Sequence, residues 1–319
     1  MTRQRRKYRK QRKLSAAIVF LYLLCIFAIF LFWQTGIIGA GLDSGISNSP
    51  AGASGVTGAS GVAGAFDSTT RSIPEIPANF VQVPVAKIND TQHLQLVNRD
   101  YSISSPVQSD RLVSAWPDIP VRANDIRLHE SAFSAMRELY KASERAAGIR
   151  SLFIASGYRT TEEQRDLYEN AADRSFVMPP GHSEHQLGLA ADILATGSCE
   201  TGGMRGSDEA AWLAENAAKY GLILRYPDHK QHITDVAYEP WHFRYVGHIH
   251  AKIMTQHDFV LEEYIEFLQH EEVYNTSFEG KDYYVLFQRP ENDKIFVPEG
   301  LEMSISSTNT EGYIITMWR

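Results

Sequence analysis

The sequence predicts an α+β domain, an antiparallel sheet with flanking helices, preceded by a single N-terminal transmembrane helix. Three observations carry this reading. Between about Phe80 and His270, amphipathic helical stretches and short apolar runs are interspersed without regular βαβ alternation, as in α+β proteins. Residues 271–319 cluster β-formers between Gly, Asn and Pro turns, as in DYYVLFQ, KIFVP and GYIITMW. Near the start, Ser15 to Trp33 is a 19-residue run without a charge.

The N-terminal elements follow from charge and length. Eight of the 31 basic side chains fall in residues 1–13, with no acid, which leaves 23 bases against 38 acids in the rest. A nucleic-acid-binding body is disfavoured, because a phosphate footprint needs a basic surface. The apolar run spans about 28 Å as a helix, close to a hydrocarbon core of roughly 30 Å. Trp33 stands at its far end, where an interfacial aromatic is expected. A basic arm (1–14) abutting a span (15–33) reads as a topology signal, with a nucleic-acid-binding arm as the weaker alternative. A cleaved signal peptide is the nearer rival, but its apolar region is usually shorter and ends in small residues rather than Phe32-Trp33. Positive-inside logic then puts the N-terminus in the cytoplasm and the remainder outside, a single-pass cell-membrane protein.

Residues 34–76 are rich in Gly, Ala and Ser, with local repeats in GASGVTGASGVAGA, and read as a flexible linker. Such a coil reaches about 35 Å root-mean-square. Cys25 lies in the span, so Cys199 is alone in the exterior part and no disulfide forms within it. Export without disulfides points towards a bacterial cell surface.

In the main domain (77–270), HESAFSAMRELYKASERAAG (129–148) sets Phe133, Met136, Leu139 and Tyr140 on one helical face and stops at Gly148. SLFIAS (151–156) reads as a buried strand, and TTEEQRDLYENAADR (160–174) as a helix capped by Thr160 or Thr161. A helix over 208–221 leads to a strand at 222–226, and AYEPWHFRYVG (237–247) is strand-like but interrupted by Pro240. Residues 271–319 form a β-rich C-terminal extension, either a small appendage or a continuation of the main sheet.

Three segments hold candidate chemistry. PPGHSEHQLGLAADI (179–193) contains His182, His185 and Asp192. Strict alternation would point His185 and Asp192 to opposite faces, so a turn must intervene, most naturally at Gly188. His185 then sits on a loop and LAADIL forms a strand carrying Asp192. In EPWH (239–242), Pro240 supplies the kink that lets Glu239 and His242 face one cavity. Two His and one Asp would leave a fourth position on Zn²⁺ open for water, and an adjacent unliganded carboxylate could take its proton. Spacing alone does not select this set from eleven histidines. His182, His229, His232, His248, His250 and His257 read as surface or hydrogen-bonded residues. In SGYRTTEEQ (156–164), Arg159 and Gln164 stand at a strand-to-helix junction, where an Arg either recognises a carboxylate or oxyanion or simply caps and pairs on the surface.

Together, SGYRTTEEQ, SEHQLGLAAD and EPWHFRYVG resemble the VanY-type D-alanyl-D-alanine carboxypeptidases. These are zinc peptidases of the lysostaphin, D-Ala-D-Ala peptidase and hedgehog fold group. The pattern S-x-H-x-x-G-x-A-x-D is met in full from Ser183 to Asp192, and the likeness covers roughly residues 90–265. The resemblance implies a sheet and helices arranged around a zinc site, with His185, Asp192 and His242 as ligands and Glu239 as catalytic base. It implies Arg159 as the arginine that binds substrate and stabilises the transition state, with Gln164, Ser183 and Tyr158 as substrate contacts. The implied activity is release of the terminal D-alanine from peptidoglycan stem peptides or precursors. An L,D-carboxypeptidase or dipeptidase on the same wall peptides is an alternative, as is a non-catalytic zinc-containing wall-binding module. Specificity is expected in loops around 195–207, with the C-terminal tail as a second candidate. His and Asp ligands also accept Mn, Co or Fe.

Overall fold

The computed structural model describes residues 79–197, 201–271 and 273–319. The basic arm, the apolar run from Ser15 to Trp33 and the linker over 34–76 lie outside the described residues. Among the described residues, no helix is long and apolar enough to cross a membrane.

In chain order the strands are β1 (Phe80–Pro84), β2 (Leu112–Ser114), β3 (Arg127–His129), β4 (Leu152–Ser156), β5 (Ala190–Ala195), β6 (Leu222–Leu224) and β7 (His242–Tyr245). They continue with β8 (Tyr274–Phe278), β9 (Lys281–Gln288), β10 (Lys294–Pro298), β11 (Glu302–Ser307) and β12 (Tyr313–Trp318). The α-helices are α1 (Glu130–Ala147), α2 (Thr161–Asn170), α3 (Asp208–Asn216), a single turn α4 (Gln231–Thr234), α5 (His248–His257) and α6 (Leu261–His270).

The central sheet has the order β4-β5-β7-β6 and is antiparallel throughout. The predicted α+β class with an antiparallel sheet is present. On one face Met136, Leu139 and Tyr140 of α1 and Leu213 of α3 share a buried cluster with Ile154, Ile193 and Phe243 of the sheet. Helix α1 begins where the His129 imidazole accepts from the Ser131 N–H and ends at Gly148 with φ +66°. There, the glycine closes the helix in a left-handed conformation that a side chain would strain.

Several predicted bounds move. The helix expected over 160–174 stops at Asn170. Its start is a capping box between Thr160 and Glu163, but Ala171 is extended (ψ 126°). Residues 171–174 have no apolar face to bury, and the Arg174 guanidinium instead covers the Tyr168 ring. The helix expected over 208–221 is α-helical only to Asn216, then tightens to a 3₁₀ turn before Gly221 (φ +79°). The strand expected over 237–247 is confined to β7, because Pro240 lacks an N–H and the chain turns at Glu239–His242, with His242 N–H donating to the Glu239 carbonyl (3.1 Å).

The C-terminal residues do not extend the central sheet. They form a separate one, β11-β12-β9-β8, while β10 pairs with β1. Val285 of β9 and Ile314 of β12 pack in one buried cluster with Ile249 and Ile253 of α5 and Tyr264, Ile265 and Leu268 of α6. The two helices thus stand between the sheets.

His250 ties these layers together. It is buried, with Nδ1 2.8 Å from the Tyr264 hydroxyl and Nε2 3.0 Å from the Thr316 hydroxyl. Burial pushes its pKa down to about 3. The unfolded chain, with histidine near 6.5, therefore binds more protons than the folded one between those values. Stability conferred by the neutral ring is present above about pH 6.5 and is lost as pH falls. By pH 5 this one group costs about 2 kcal/mol. Urea unfolding at pH 8, 6 and 5 is expected to show falling stability. The slope is expected to be shallower in His250→Gln, whatever that variant's stability at pH 8; an unchanged slope would show that His250 does not carry it.

Candidate metal centre and catalytic cavity

The site is assembled by sheet register. Asp192 on β5 pairs directly with His242 on β7, and Ser156 at the end of β4 pairs with Asp192 across a bulge. Side chains opposed in this way on one face stand close together. Asp192 Oδ1 lies 3.1 Å from His242 Nδ1.

His185 arrives from a different element. Residues Glu184–Leu187 form a 3₁₀ turn closed by Gly188 at φ +68°, the turn that the parity argument places there. A Cβ on Gly188 would also come within 2.9 Å of the His129 backbone nitrogen. The turn brings His185 Nε2 to 3.5 Å from Asp192 Oδ1. Among the described residues, His185, Asp192 and His242 form the group whose donor atoms converge, all within 4.8 Å of one another.

The outward nitrogens are engaged as well. His185 Nδ1 is 2.7 Å from the Gly157 carbonyl, and so carries the proton and leaves Nε2 facing Asp192. His242 Nε2 lies 3.4 Å from Glu184 Oε2. Burial opposes the Asp192 charge, but the two imidazoles outweigh it and hold the carboxyl well below its usual range. Burial alone would lower His242, yet Asp192 and Glu184 push it up to about 9.

Glu239 is buried and its Oε2 stands 3.8 Å from His242 Nδ1. Burial, with Asp192 and Glu184 nearby, pushes its pKa up to about 8 against the pull of His242 and Arg159. A divalent cation among the neighbouring donors would draw it back down.

Arg159 leaves β4 and turns onto the same level. Its Nη2 donates to Asp192 Oδ2 (3.1 Å) and to Ser156 Oγ (2.8 Å), and its Nη1 to Gln164 Oε1 (3.2 Å). Gln164 is buried and its amide donates to the Met178 carbonyl (2.7 Å). Both ends of that side chain are thus engaged with the protein, and one of them orients Arg159. Ser183 is buried and lines the same cavity.

The cavity measures about 430 Å³, within the range of small-ligand sites. Arg159, Gln164, Ser183, His185, Asp192, Glu239 and His242 all line it. Tyr158 is not among the lining residues. It neighbours Arg159 on the segment between β4 and α2, and its ring lies beneath the Arg127 guanidinium (5.3 Å). Arg205, from the loop expected to govern specificity, does line it, together with Phe176, Met178, Tyr226 and Trp241. None of these five stands out in the sequence, since each reads there as ordinary surface or core. The six other histidines named above are spread over the surface and core; for example, His229 faces Asp258 and His248 the Lys219 carbonyl.

Residues 125–248 match the VanY family, D-alanyl-D-alanine carboxypeptidase. A D-alanyl-D-alanine carboxypeptidase of Enterococcus faecium is 41% identical over 172 residues, covering 54% of this chain but only 55% of the relative. The bifunctional D-Ala-D-Ala dipeptidase and D-Ala-D-Ala carboxypeptidase VanXYC of Enterococcus gallinarum is 36% identical over 186 residues, 55% of this chain and 94% of that protein. The chain belongs to the VanY family. Among solved structures, the D,D-dipeptidase VanXYg bound to a D-Ala-D-Ala phosphinate analogue shares the fold with this VanY-family chain. Its TM-score is 0.65 at 28% identity, over 76% of this chain and 99% of that one.

The donor set fits the zinc that the VanY-type motif implies. Two buried imidazoles and one half-buried carboxylate converge from a turn and two paired strands, with His185 Nε2 and His242 Nδ1 turned towards Asp192. Three His and Asp donors with space beside them suit a catalytic rather than a four-cysteine structural site.

Proposed function

We propose that this chain is a zinc-dependent D,D-carboxypeptidase that removes the terminal D-alanine from peptidoglycan stem peptides or their precursors. One observation carries the reading: the converging His185–Asp192–His242 triad opens on a cavity that also holds Glu239 and Arg159. A structural zinc needs neither of the last two, so a non-catalytic wall-binding module is disfavoured.

His185, Asp192 and His242 would hold Zn²⁺, which supplies Lewis acidity that activates water near neutral pH. Glu239 takes the proton from the attacking water and returns it to the leaving amine of the terminal D-alanine. Arg159, oriented by Ser156, Gln164 and Asp192, presents its guanidinium to the developing oxyanion or to the substrate's free carboxylate. Ser183 offers a hydroxyl on the same wall. Glu239 does the proton transfer and no serine need form an acyl-enzyme. On the rim, Leu167 and Phe176 are exposed and Trp241 lies 6.3 Å from the Phe176 ring. This apolar edge suits the rest of a stem peptide better than a lone dipeptide.

The basic arm and the apolar run before residue 34 support a single-pass anchor with the domain outside, held by the linker near the membrane face. A mass-spectrometric analysis of defined substrates tests the specificity. D-alanine release from a pentapeptide ending in D-Ala-D-Ala is expected, with slower cleavage of the tetrapeptide and of free D-Ala-D-Ala. Preferential loss of the last residue of the tetrapeptide would establish an L,D-carboxypeptidase instead.

A further inference from the structure

Behind the site lies a cluster of charges that the proposed reaction does not use. Glu184, Arg225 and Arg244 are fully buried. Arg225 Nε donates to Glu184 Oε1 (2.8 Å), and its Nη1 and Nη2 fork onto Glu262 of α6 at 2.8 and 2.6 Å. Arg244 Nη1 stands 2.9 Å from the same Glu184 oxygen as an ion pair without hydrogen-bond alignment. The other edge of that guanidinium donates to the carbonyls of His93 and Gln95. Two carboxylates and two guanidiniums cancel in charge, but such groups are costly to bury and apolar residues of like volume often serve stability as well. The charged group of the cluster that meets a triad side chain is the Glu184 carboxylate, whose Oε2 lies 3.4 Å from His242 Nε2.

We propose that Glu184, held by Arg225 and Arg244, is a positioning residue that keeps the proton of His242 on Nε2 and the Nδ1 lone pair aimed at the metal. A carboxylate only accepts, so it selects the tautomer with Nε2–H. Two guanidiniums on Oε1 prevent the carboxylate from turning away. Both arginines are tied to His242 by the sheet. Arg225 N–H donates to the His242 carbonyl (3.2 Å), and Arg244 lies two residues further along β7. His185 receives the equivalent service from the Gly157 carbonyl. Such partners of a ligating imidazole typically govern 10–100-fold in metal affinity.

This inference rests on the zinc reading, so the experiment measures that reading separately. Zn²⁺ affinity is determined by competition with a chromophoric chelator for the wild type, Asp192→Ala, Glu184→Gln, Glu184→Asp and Glu262→Gln, with unfolding midpoints alongside. Tight binding by the wild type that is lost in Asp192→Ala establishes the zinc reading by itself. A wild type that binds no Zn²⁺ overturns both. Glu184→Gln is expected to bind Zn²⁺ roughly 10–100-fold more weakly, with an altered visible spectrum when loaded with Co²⁺ and an unchanged KM for pentapeptide. Glu262→Gln removes an equally clustered charge that does not touch His242, so it is expected to lose stability but keep Zn²⁺ affinity. Should Glu184→Gln fail to fold, Glu184→Asp keeps the charge for the arginines but withdraws it from His242, and weakened Zn²⁺ binding is again expected. Wild-type affinity in the folded Glu184 variants, or equal losses in the Glu184 and Glu262 variants, overturns the proposal.

Discussion

Replacing Glu239 by alanine is expected to lower kcat for D-alanine release by roughly 10²–10⁴-fold, the usual contribution of a positioned general base, while Zn²⁺ stays bound. The carboxylate is buried beside the triad, 3.8 Å from His242 Nδ1, and is not itself among the three converging donors. It lines the same cavity as the triad, close enough to exchange a proton with water there, and a divalent cation beside it would favour the ionised carboxylate that accepts the first proton. The measurement needs two readouts, turnover on a pentapeptide and zinc content of the purified variant. Near wild-type turnover with zinc retained would remove Glu239 from the chemistry. Loss of zinc together with activity would instead make it a ligand.

Replacing His185 by alanine is expected to release the metal and to lower turnover by at least about 10³-fold, since Lewis-acid stabilisation supplies several kcal/mol. Treatment with a chelator is expected to do the same to the wild type, with recovery on adding Zn²⁺ back; His185→Ala is not expected to recover at the same Zn²⁺ concentration. The contrast matters because Asp192 has a second task. Its Oδ2 accepts from Arg159, so an Asp192 variant would disturb the metal and the guanidinium together. His185 bonds only the Gly157 carbonyl on its far side and so separates the two effects more cleanly. Retained turnover in a metal-free His185→Ala protein would end the metallopeptidase reading.

The local features read from the sequence rest on neighbours a few residues apart. Gly148 ends α1 and Gly188 closes the turn between His185 and Asp192, each in a left-handed backbone. The parity of His185 and Asp192 demanded that turn, and Pro240 with its neighbours produced the bend that puts Glu239 and His242 on one cavity. Where an element's length depended on burial rather than on caps, the reading overran. Helix α2 stops four residues early because nothing beyond Asn170 has a surface to pack against.

Tyr158, Gln164 and Glu184 show a different kind of gap. Motif proximity groups Tyr158 with Arg159, yet its ring goes to Arg127, while Gln164 turns to Met178 and Arg159. Glu184 reads as a polar residue next to a histidine. Its partners Arg225 and His242 lie 41 and 58 residues away, and nothing local marks any of them as buried. An acid in a turn is solvated by default, and only a folded core shows that it is enclosed.

By itself, then, the sequence determined the class of fold, the residue types that bear on chemistry and the turns that let them converge. These depend on backbone preference and side-chain period, which are local. The tertiary structure alone decided that Asp192 stands opposite His242, that the C-terminal strands form their own sheet against α5 and α6, and that three fully buried charges, Glu184, Arg225 and Arg244, stand behind the triad. Strand register and burial are set by packing between distant segments, and that energy is defined only when the whole domain closes.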